Sequence, residues 1–140
     1  MTSYPPQRFV YVEDDPNQRM ILDALFRHER VWNELICLDG VRSFRQYLDD
    51  AERPSIDVLI VDWRLKDGSG AEVIAAAREH PKTKAAAILA ASAVSEHAQI
   101  AEADRMGGHY WLEKPLTVSM IIDALTAING FGQIIVRKKK

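Results

Sequence analysis

The residues of this 140-residue chain whose types and spacing could do chemistry are three consecutive acids, Glu13-Asp14-Asp15, an isolated Asp62, Ser92, and Lys114 followed by Pro115. Each stands at or just beyond the end of a short apolar or aromatic run, at residues 9–12, 56–61, 85–91 and 109–113. Carboxylates gathered at one place repel one another. Two unit charges ~4 Å apart cost roughly 1 kcal/mol in water and ~4 kcal/mol at an effective dielectric of ~20. Hard oxygen ligands, one or two carboxylates, and positions left for water and phosphate oxygens describe a Mg2+ site, which Mn2+ could also fill. Lys114 adds a point charge able to pair with a carboxylate or a phosphoryl oxygen. Taken singly, each residue has an ordinary structural reading: Asp15 caps a helix, an acid ends a strand, Lys-Pro makes a loop. The ordered set of acids, Asp, Ser and Lys-Pro after successive strands is hard to produce by accident.

The elements that must position these groups follow from apolar periodicity. The runs at 9–12, 56–61 and 85–91 are short and nearly continuous, as strands buried on both faces require, with 31–38 and 109–113 as weaker strand candidates. Between them lie helical patterns. The first opens with Asp15 as N-cap, Pro16 at the first helical position and Gln18 at capping-box spacing, and its expected inner face carries Ile21, Ala24, Leu25 and His28. Val41, Phe44, Leu48 and Ala51 form a second stripe, and Val73, Ile74 and Ala77 a third. The helix over 96–105 is more polar. The last stripe is Val118, Ile121, Ile122, Leu125 and Ile128, with Gly130 as C-cap.

Five strands alternating with five helices predict an α/β fold, a doubly wound parallel sheet in the flavodoxin-like order 2-1-3-4-5. In such sheets ligands bind beyond the carboxyl ends of the strands, where these polar groups fall if strands 1, 3, 4 and 5 are parallel.

Composition fits one globular domain: 47% hydrophobic and 27% charged residues, with no apolar run near the ~20 residues of a membrane-crossing helix. Residues 1–7 read as a disordered lead-in without the features of a secretion signal, 8–129 as the folded domain, and 130–140 as a basic tail. The single cysteine, Cys37, reads as a small buried hydrophobe and suits a reducing cytoplasm. Net charge is −2, but without the terminal run Arg137 to Lys140 there are 14 basic residues against 20 acidic ones, or −6. An acidic body is a poor nucleic-acid binder, and neither nucleic-acid nor membrane binding is expected.

At this point the chain resembles response-regulator receiver domains of two-component signalling systems. The segments that carry the resemblance are Phe9-Val-Tyr-Val-Glu-Asp-Asp-Pro16, Val58-Leu-Ile-Val-Asp-Trp-Arg-Leu-Lys-Asp-Gly-Ser-Gly70, Ile88-Leu-Ala-Ala-Ser-Ala93 and Met106-Gly-Gly-His-Tyr-Trp-Leu-Glu-Lys-Pro-Leu116, spanning residues 8–129. The resemblance implies that Asp62 is the phosphoacceptor. It implies metal ligation by Asp14 and Asp62 directly, by Glu13 through water, and by the backbone carbonyl of Arg64. Ser92 would hold the hydroxyl position, Lys114 the lysine position and Trp111 the switch-aromatic position, with a cis bond between Lys114 and Pro115.

Three departures stand out. Lys66 replaces a common proline, loosening the loop after the acceptor; Arg64 and Val94 sit where relatives tune dephosphorylation; and Trp111 is larger than the usual Tyr or Phe. The implied function is a switch phosphorylated by a histidine kinase or phosphotransfer protein, which discharges itself by Mg2+-dependent hydrolysis and signals to an effector through the face of the fourth helix, fifth strand and fifth helix. Two alternatives are a degenerate receiver serving only as an interaction module and an aspartyl-phosphate phosphatase. The intact acids, hydroxyl and lysine oppose the first; the lack of a D-x-D motif after strand 1 and of a cap domain opposes the second.

Overall fold

The computed structural model describes residues 8–29 and 34–128. One sheet contains five parallel strands, β1 (Arg8–Val12), β2 (Glu34–Leu38), β3 (Val58–Asp62), β4 (Ala87–Ser92) and β5 (Tyr110–Glu113), in the order β2-β1-β3-β4-β5. The helices are α1 (Pro16–Glu29), α2 (Val41–Asp49), α3 (Gly70–Arg78), α4 (His97–Arg105) and α5 (Val118–Ala127). This is the expected doubly wound, flavodoxin-like architecture. The expected lead-in, the tail, Gly130 and residues 31–33 of the second strand candidate lie outside the described residues.

Strand pleat explains the two cores. On β1, Phe9 and Tyr11 point with Val58, Ile60, Ala87 and Leu89 toward the core that includes α1 and α5, while Val10 and Val12 point with Leu59, Val61, Ile88 and Ala90 toward that of α2, α3 and α4. Every residue of β3 and β4 is buried, which is why those strands read as unbroken apolar runs.

Helix α1 corrects the sequence reading. Leu22 and Phe26 are its buried residues and Leu25 is partly buried, whereas Ile21, Ala24 and His28 are exposed. The helix is turned by one residue from expectation, roughly 100° of azimuth. Phe26 sets that rotation by meeting Phe9 edge-on, ring centroids 5.2 Å apart at 76°. Asp15 does cap α1, accepting from the Asn17 N–H at 2.9 Å. The reciprocal capping box does not form: the Gln18 amide reaches the Asp15 carboxylate, because the Asp15 N–H donates to Glu13 Oε2. In α2 the buried set is Val41, Phe44, Tyr47 and Leu48, and Ala51 lies exposed beyond the helix end at Asp49. The stripes of α3 and α5 are buried as expected, and α4 buries only Ala103.

The loop after Asp62 is tied down in several places despite Lys66 replacing proline. Arg64–Leu65 and Gly68–Ser69 form a short antiparallel hairpin, and Ser69 caps α3 in a box with Glu72. At the hairpin tip, Asp67 accepts from the Val41 and Arg42 N–H groups at 2.8 and 3.0 Å, serving as the cap of α2 that Gly40 lacks. A side chain at Gly40 would meet that carboxylate, and a Cβ at Gly70 would lie 2.8 Å from the Asp62 carbonyl oxygen, so glycine permits both close approaches.

Two outcomes follow for stability. Phe26→Ala should destabilise the domain by about 3–5 kcal/mol in urea unfolding, while Ile21→Ala should stay within about 0.5 kcal/mol; a larger loss for Ile21→Ala than for Phe26→Ala would mean that α1 is rotated as the sequence pattern suggested. The α2 N–H groups hold the Asp67 carboxyl below its ordinary range. A lowered folded-state pKa gives stability that is present above the unfolded value near 3.9 and is lost as pH falls through the folded value. Asp67→Ala should therefore cost about 1 kcal/mol at pH 7, the usual size of a helix cap, and progressively less below about pH 4; a cost independent of pH would show that the charge is irrelevant.

Candidate functional site

The carboxyl ends of β1, β3, β4 and β5 place Glu13, Asp62, Ser92 and Lys114 together. Backbone bonds fix that convergence: the Glu13 N–H donates to Leu38 O at 2.9 Å, Trp63 N–H to Ala91 O at 2.8 Å, and Lys114 N–H to Ser92 O at 2.8 Å. Glu13, Asp62 and Ser92 are buried polar residues, and Asp14 is half-buried beside them. Lys114 Nζ lies 2.6 Å from Glu13 Oε1 and 3.1 Å from Asp62 Oδ1, bridging the two carboxylates. The Lys114-Pro115 bond is cis.

Glu13 is 1% exposed and saturated with donors. Besides Lys114, the Tyr11 hydroxyl donates to Oε1 at 3.0 Å and the Asp15 N–H to Oε2 at 3.1 Å. Burial pushes the Glu13 carboxyl above its ordinary range and Asp62 adds to the rise, against the opposing pull of Lys114 and the Asp15 N–H. Burial, reinforced by the charge of Glu13, raises the Tyr11 phenol too, which keeps it protonated and donating.

Glu13, Asp14 and Asp62 each offer a carboxylate oxygen within 4.8 Å of the others. Three hard oxygen donors at that spacing fit a small divalent cation and suit no soft metal. Next to them is a cavity of about 170 Å³ lined by Asp62, Arg64, Ser92, Ala93, Val94 and Lys114. Arg64, itself exposed, and Val94 thus share a cavity with the Asp62 carboxylate, and Ser92 Oγ accepts from the Val94 N–H at 3.2 Å.

Trp111 is half-buried. Its ring lies 5.5 Å from that of Trp63, the residue after Asp62, at 59°. Its indole N–H donates to Ser95 Oγ at 3.1 Å, and the Ser95 hydroxyl donates to Glu113 at 3.2 Å. Beside it, between α4 and β5, opens a groove of about 470 Å³ whose lining includes His97, Ile100, Asp104, His109 and Tyr110.

Glu13, Asp14, Asp62, Arg64, Ser92 and Lys114 lie together at this end of the sheet, with Trp111 on β5 three residues before Lys114, but three contributors were missed. Tyr11 shares the face of Glu13 by the strand period of two, a signal hidden because tyrosine is also an ordinary strand former. Arg19, whose guanidinium donates to the Glu13 carbonyl at 2.7 Å, and Ser95 come from a helix and a loop, and no sequence period connects them to the site. Cys37 is half-buried, its Sγ 4.0 Å from the Arg19 carbonyl.

Comparison with known proteins agrees with the geometry. Residues 9–126 match the family model described as the response regulator receiver domain. The chemotaxis protein CheY of Pseudomonas aeruginosa is 24% identical over 121 residues, covering 86% of this chain and 94% of that protein. Among solved structures, CheY4 of Vibrio cholerae superposes with a TM-score of 0.74 at 19% identity, covering 87% of this chain and 98% of that one. The receiver domain of the sensor histidine kinase PA1611 from Pseudomonas aeruginosa, solved with a magnesium ion coordinated in its active-site cleft, superposes with a TM-score of 0.69 at 21% identity, covering 87% and 96%. With the family match running from β1 into α5 and an acidic pocket at the carboxyl edge of the sheet, this chain belongs to the response-regulator receiver domains of two-component systems.

Proposed function

We propose that this domain is a phosphorylation switch in which Asp62 accepts a phosphoryl group from a histidine kinase or phosphotransfer protein. The observation that carries the reading is the Lys114 ammonium set between Asp62 and Glu13, at the rim of a cavity large enough for a phosphoryl group and lined by Ser92. A metaphosphate-like transition state spreads charge over its equatorial oxygens, and catalysis is mostly positioning and electrostatics. An Asp62 carboxylate oxygen attacks phosphorus in line, and the bond from phosphorus to the donor imidazole breaks with its electron pair leaving on the nitrogen. Lys114 turns its ammonium to the phosphoryl oxygens, and the Ser92 hydroxyl donates a hydrogen bond to them.

Asp14, Asp62, the Arg64 carbonyl, and Glu13 through water would hold Mg2+, or Mn2+. When bound, the cation supplies the remaining positive charge against the phosphoryl oxygens. Hydrolysis of the acyl phosphate by a water entering between Arg64 and Val94 resets the domain, so it assists its own charging and discharge without serving a separate substrate. The apolar groove of about 330 Å³ lined by Tyr11, Gln18, Ile21, Leu22, Lys114 and Pro115, among others, gives a phosphodonor a docking surface next to the reacting lysine. No helix among the described residues is long and apolar enough to cross a membrane, and we place the domain in the cytoplasm with residues 8–129 as its folded unit.

For output, the α4–β5–α5 face is the surface offered to an effector protein. Movement of Ser92 toward the phosphoryl group would open space near Trp111, whose repacking against Trp63 would bias the groove between α4 and β5.

Acetyl phosphate or phosphoramidate with Mg2+ should produce one base-labile phosphoryl group, located at Asp62 by mass spectrometry and absent in Asp62→Asn. Labelling of Ser92 or a histidine would overturn the assignment. Mg2+ titration should change Trp63 fluorescence saturably, and Asp14→Asn should remove the response; an identical curve would take Asp14 out of the metal site. Trp111→Ala should still accept phosphate yet lose most of the phosphorylation-dependent gain in effector affinity, a coupling of about 1–3 kcal/mol. Calorimetry with and without beryllofluoride measures this gain, and an unchanged ratio would show that the signal travels by another route.

A further inference from the structure

Resting on the reading of Asp62 as acceptor, we propose that Tyr11 is a positioning residue for phosphoryl capture: its hydroxyl holds the Glu13 carboxylate in place when Lys114 leaves Glu13 for the phosphoryl oxygens. Glu13 Oε1 receives two donors, Lys114 Nζ at 2.6 Å and Tyr11 OH at 3.0 Å, while Lys114 also reaches Asp62 Oδ1 at 3.1 Å. The one ammonium is therefore divided between a carboxylate that never reacts and the one that does. Capture of a phosphoryl group requires the ammonium to shift toward Asp62.

What that shift costs is decided at Glu13. With 1% exposure, Glu13 has almost no water to replace a departing cation, and a buried carboxylate stripped of its partner is heavily penalised. Two neutral donors remain if Tyr11 is present, its hydroxyl on Oε1 and the Asp15 N–H on Oε2. Without the hydroxyl, Oε1 keeps only Lys114 among these donors, and Glu13 competes harder for it. Tyr11 lies on β1 with its ring in the core and does not touch the cavity beside Asp62, so it acts through Glu13 and is not a catalytic residue.

The test compares Tyr11→Phe with the wild type in two titrations followed by tryptophan fluorescence: Mg2+ alone, and beryllofluoride at saturating Mg2+. Mg2+ affinity should fall less than beryllofluoride affinity, because Lys114 and the Asp15 N–H still hold Glu13 before the ammonium shifts. Affinity for beryllofluoride should fall roughly five- to tenfold, the equivalent of one ordinary hydrogen bond, and labelling of Asp62 by phosphoramidate should slow in step. In the Lys114→Ala background, Tyr11→Phe should not slow labelling further. A parallel loss of Mg2+ and beryllofluoride binding would overturn the proposal by showing a general disturbance of the core, and so would an undiminished effect in Lys114→Ala or no effect at all.

In the wild type, side-chain NMR through the beryllofluoride titration should show a Tyr11 hydroxyl proton that remains slow to exchange while the Lys114 ammonium resonance moves. Loss of that hydroxyl signal on binding would refute the role without any variant. Failure of the wild type to be labelled at Asp62 would instead defeat the reading of the acceptor itself, which separates the two failures.

Discussion

The sharing of one ammonium between two buried carboxylates is the constraint on which the rest of this structure depends. Glu13 and Asp62 end neighbouring strands, β1 and β3, and Lys114 ends β5 on the far side of β4. Only a parallel sheet delivers three such groups to one edge, and only in this order does the lysine cross β4 to reach both acids. Desolvation opposes the whole arrangement, since removing a carboxylate from water costs several kcal/mol unless hydrogen bonds and a counter-charge replace the solvent. Glu13 recovers that cost with three donors. Among the described residues Asp62 forms its ion pair with the lysine, and with Asp14 beside it the site holds three carboxylates against one ammonium. An acidic cluster with that excess is one that could hold a metal ion.

The scaffold around the acids keeps the acceptor loop from yielding to their repulsion. The chain leaves β3 at Asp62, turns through the hairpin and enters α3 at Gly70, whose N–H returns to the Trp63 carbonyl at 2.8 Å. Asp67 ties the tip of the same hairpin to the start of α2. The loop, with Lys66 where the resemblance leads one to expect proline, is held by hydrogen bonds at two helix N-termini. This substitution exchanges a covalent restraint on φ for a polar one, which salt and pH can weaken.

The architecture was legible because β3 and β4 are buried on both faces and leave unbroken apolar runs, and because polar groups stop those runs at the edge where ligands bind. The rotation of α1 was not. Met20, Ile21, Leu22, Leu25 and Phe26 supply two overlapping apolar stripes one residue apart, and periodicity alone cannot choose between them; the choice belongs to Phe9, a tertiary partner. The acid pocket was legible as a set of residue types, whereas its internal hydrogen bonding was not. That Lys114 leans on Glu13 at 2.6 Å as well as on Asp62, and that Asp67 caps a helix that begins 26 residues upstream, are facts about distances between elements. Sequence spacing encodes such distances only within one helix or strand.

The energies around Trp111 bear on how a change at Asp62 could reach the α4–β5–α5 face. A phosphoryl group would leave about two negative charges where one stood, and the allosteric coupling available from such events is about 1–3 kcal/mol. Trp111 is held by one hydrogen bond to Ser95, worth about 1 kcal/mol net, and by its contact with Trp63, worth about 0.5–1.5 kcal/mol for an aromatic pair. Packing of the half-buried ring against the core of α2, α3 and α4 adds to both. A tryptophan with no partner would not distinguish the two states. Ser95 stands three residues after Ser92 in the loop that enters α4, so a movement of that loop toward the acceptor would stretch the Ser95 bond to Trp111. Ser92, which borders Asp62, and Ser95, which bonds Trp111, thus share one short segment, so a small movement of that segment would be felt at both.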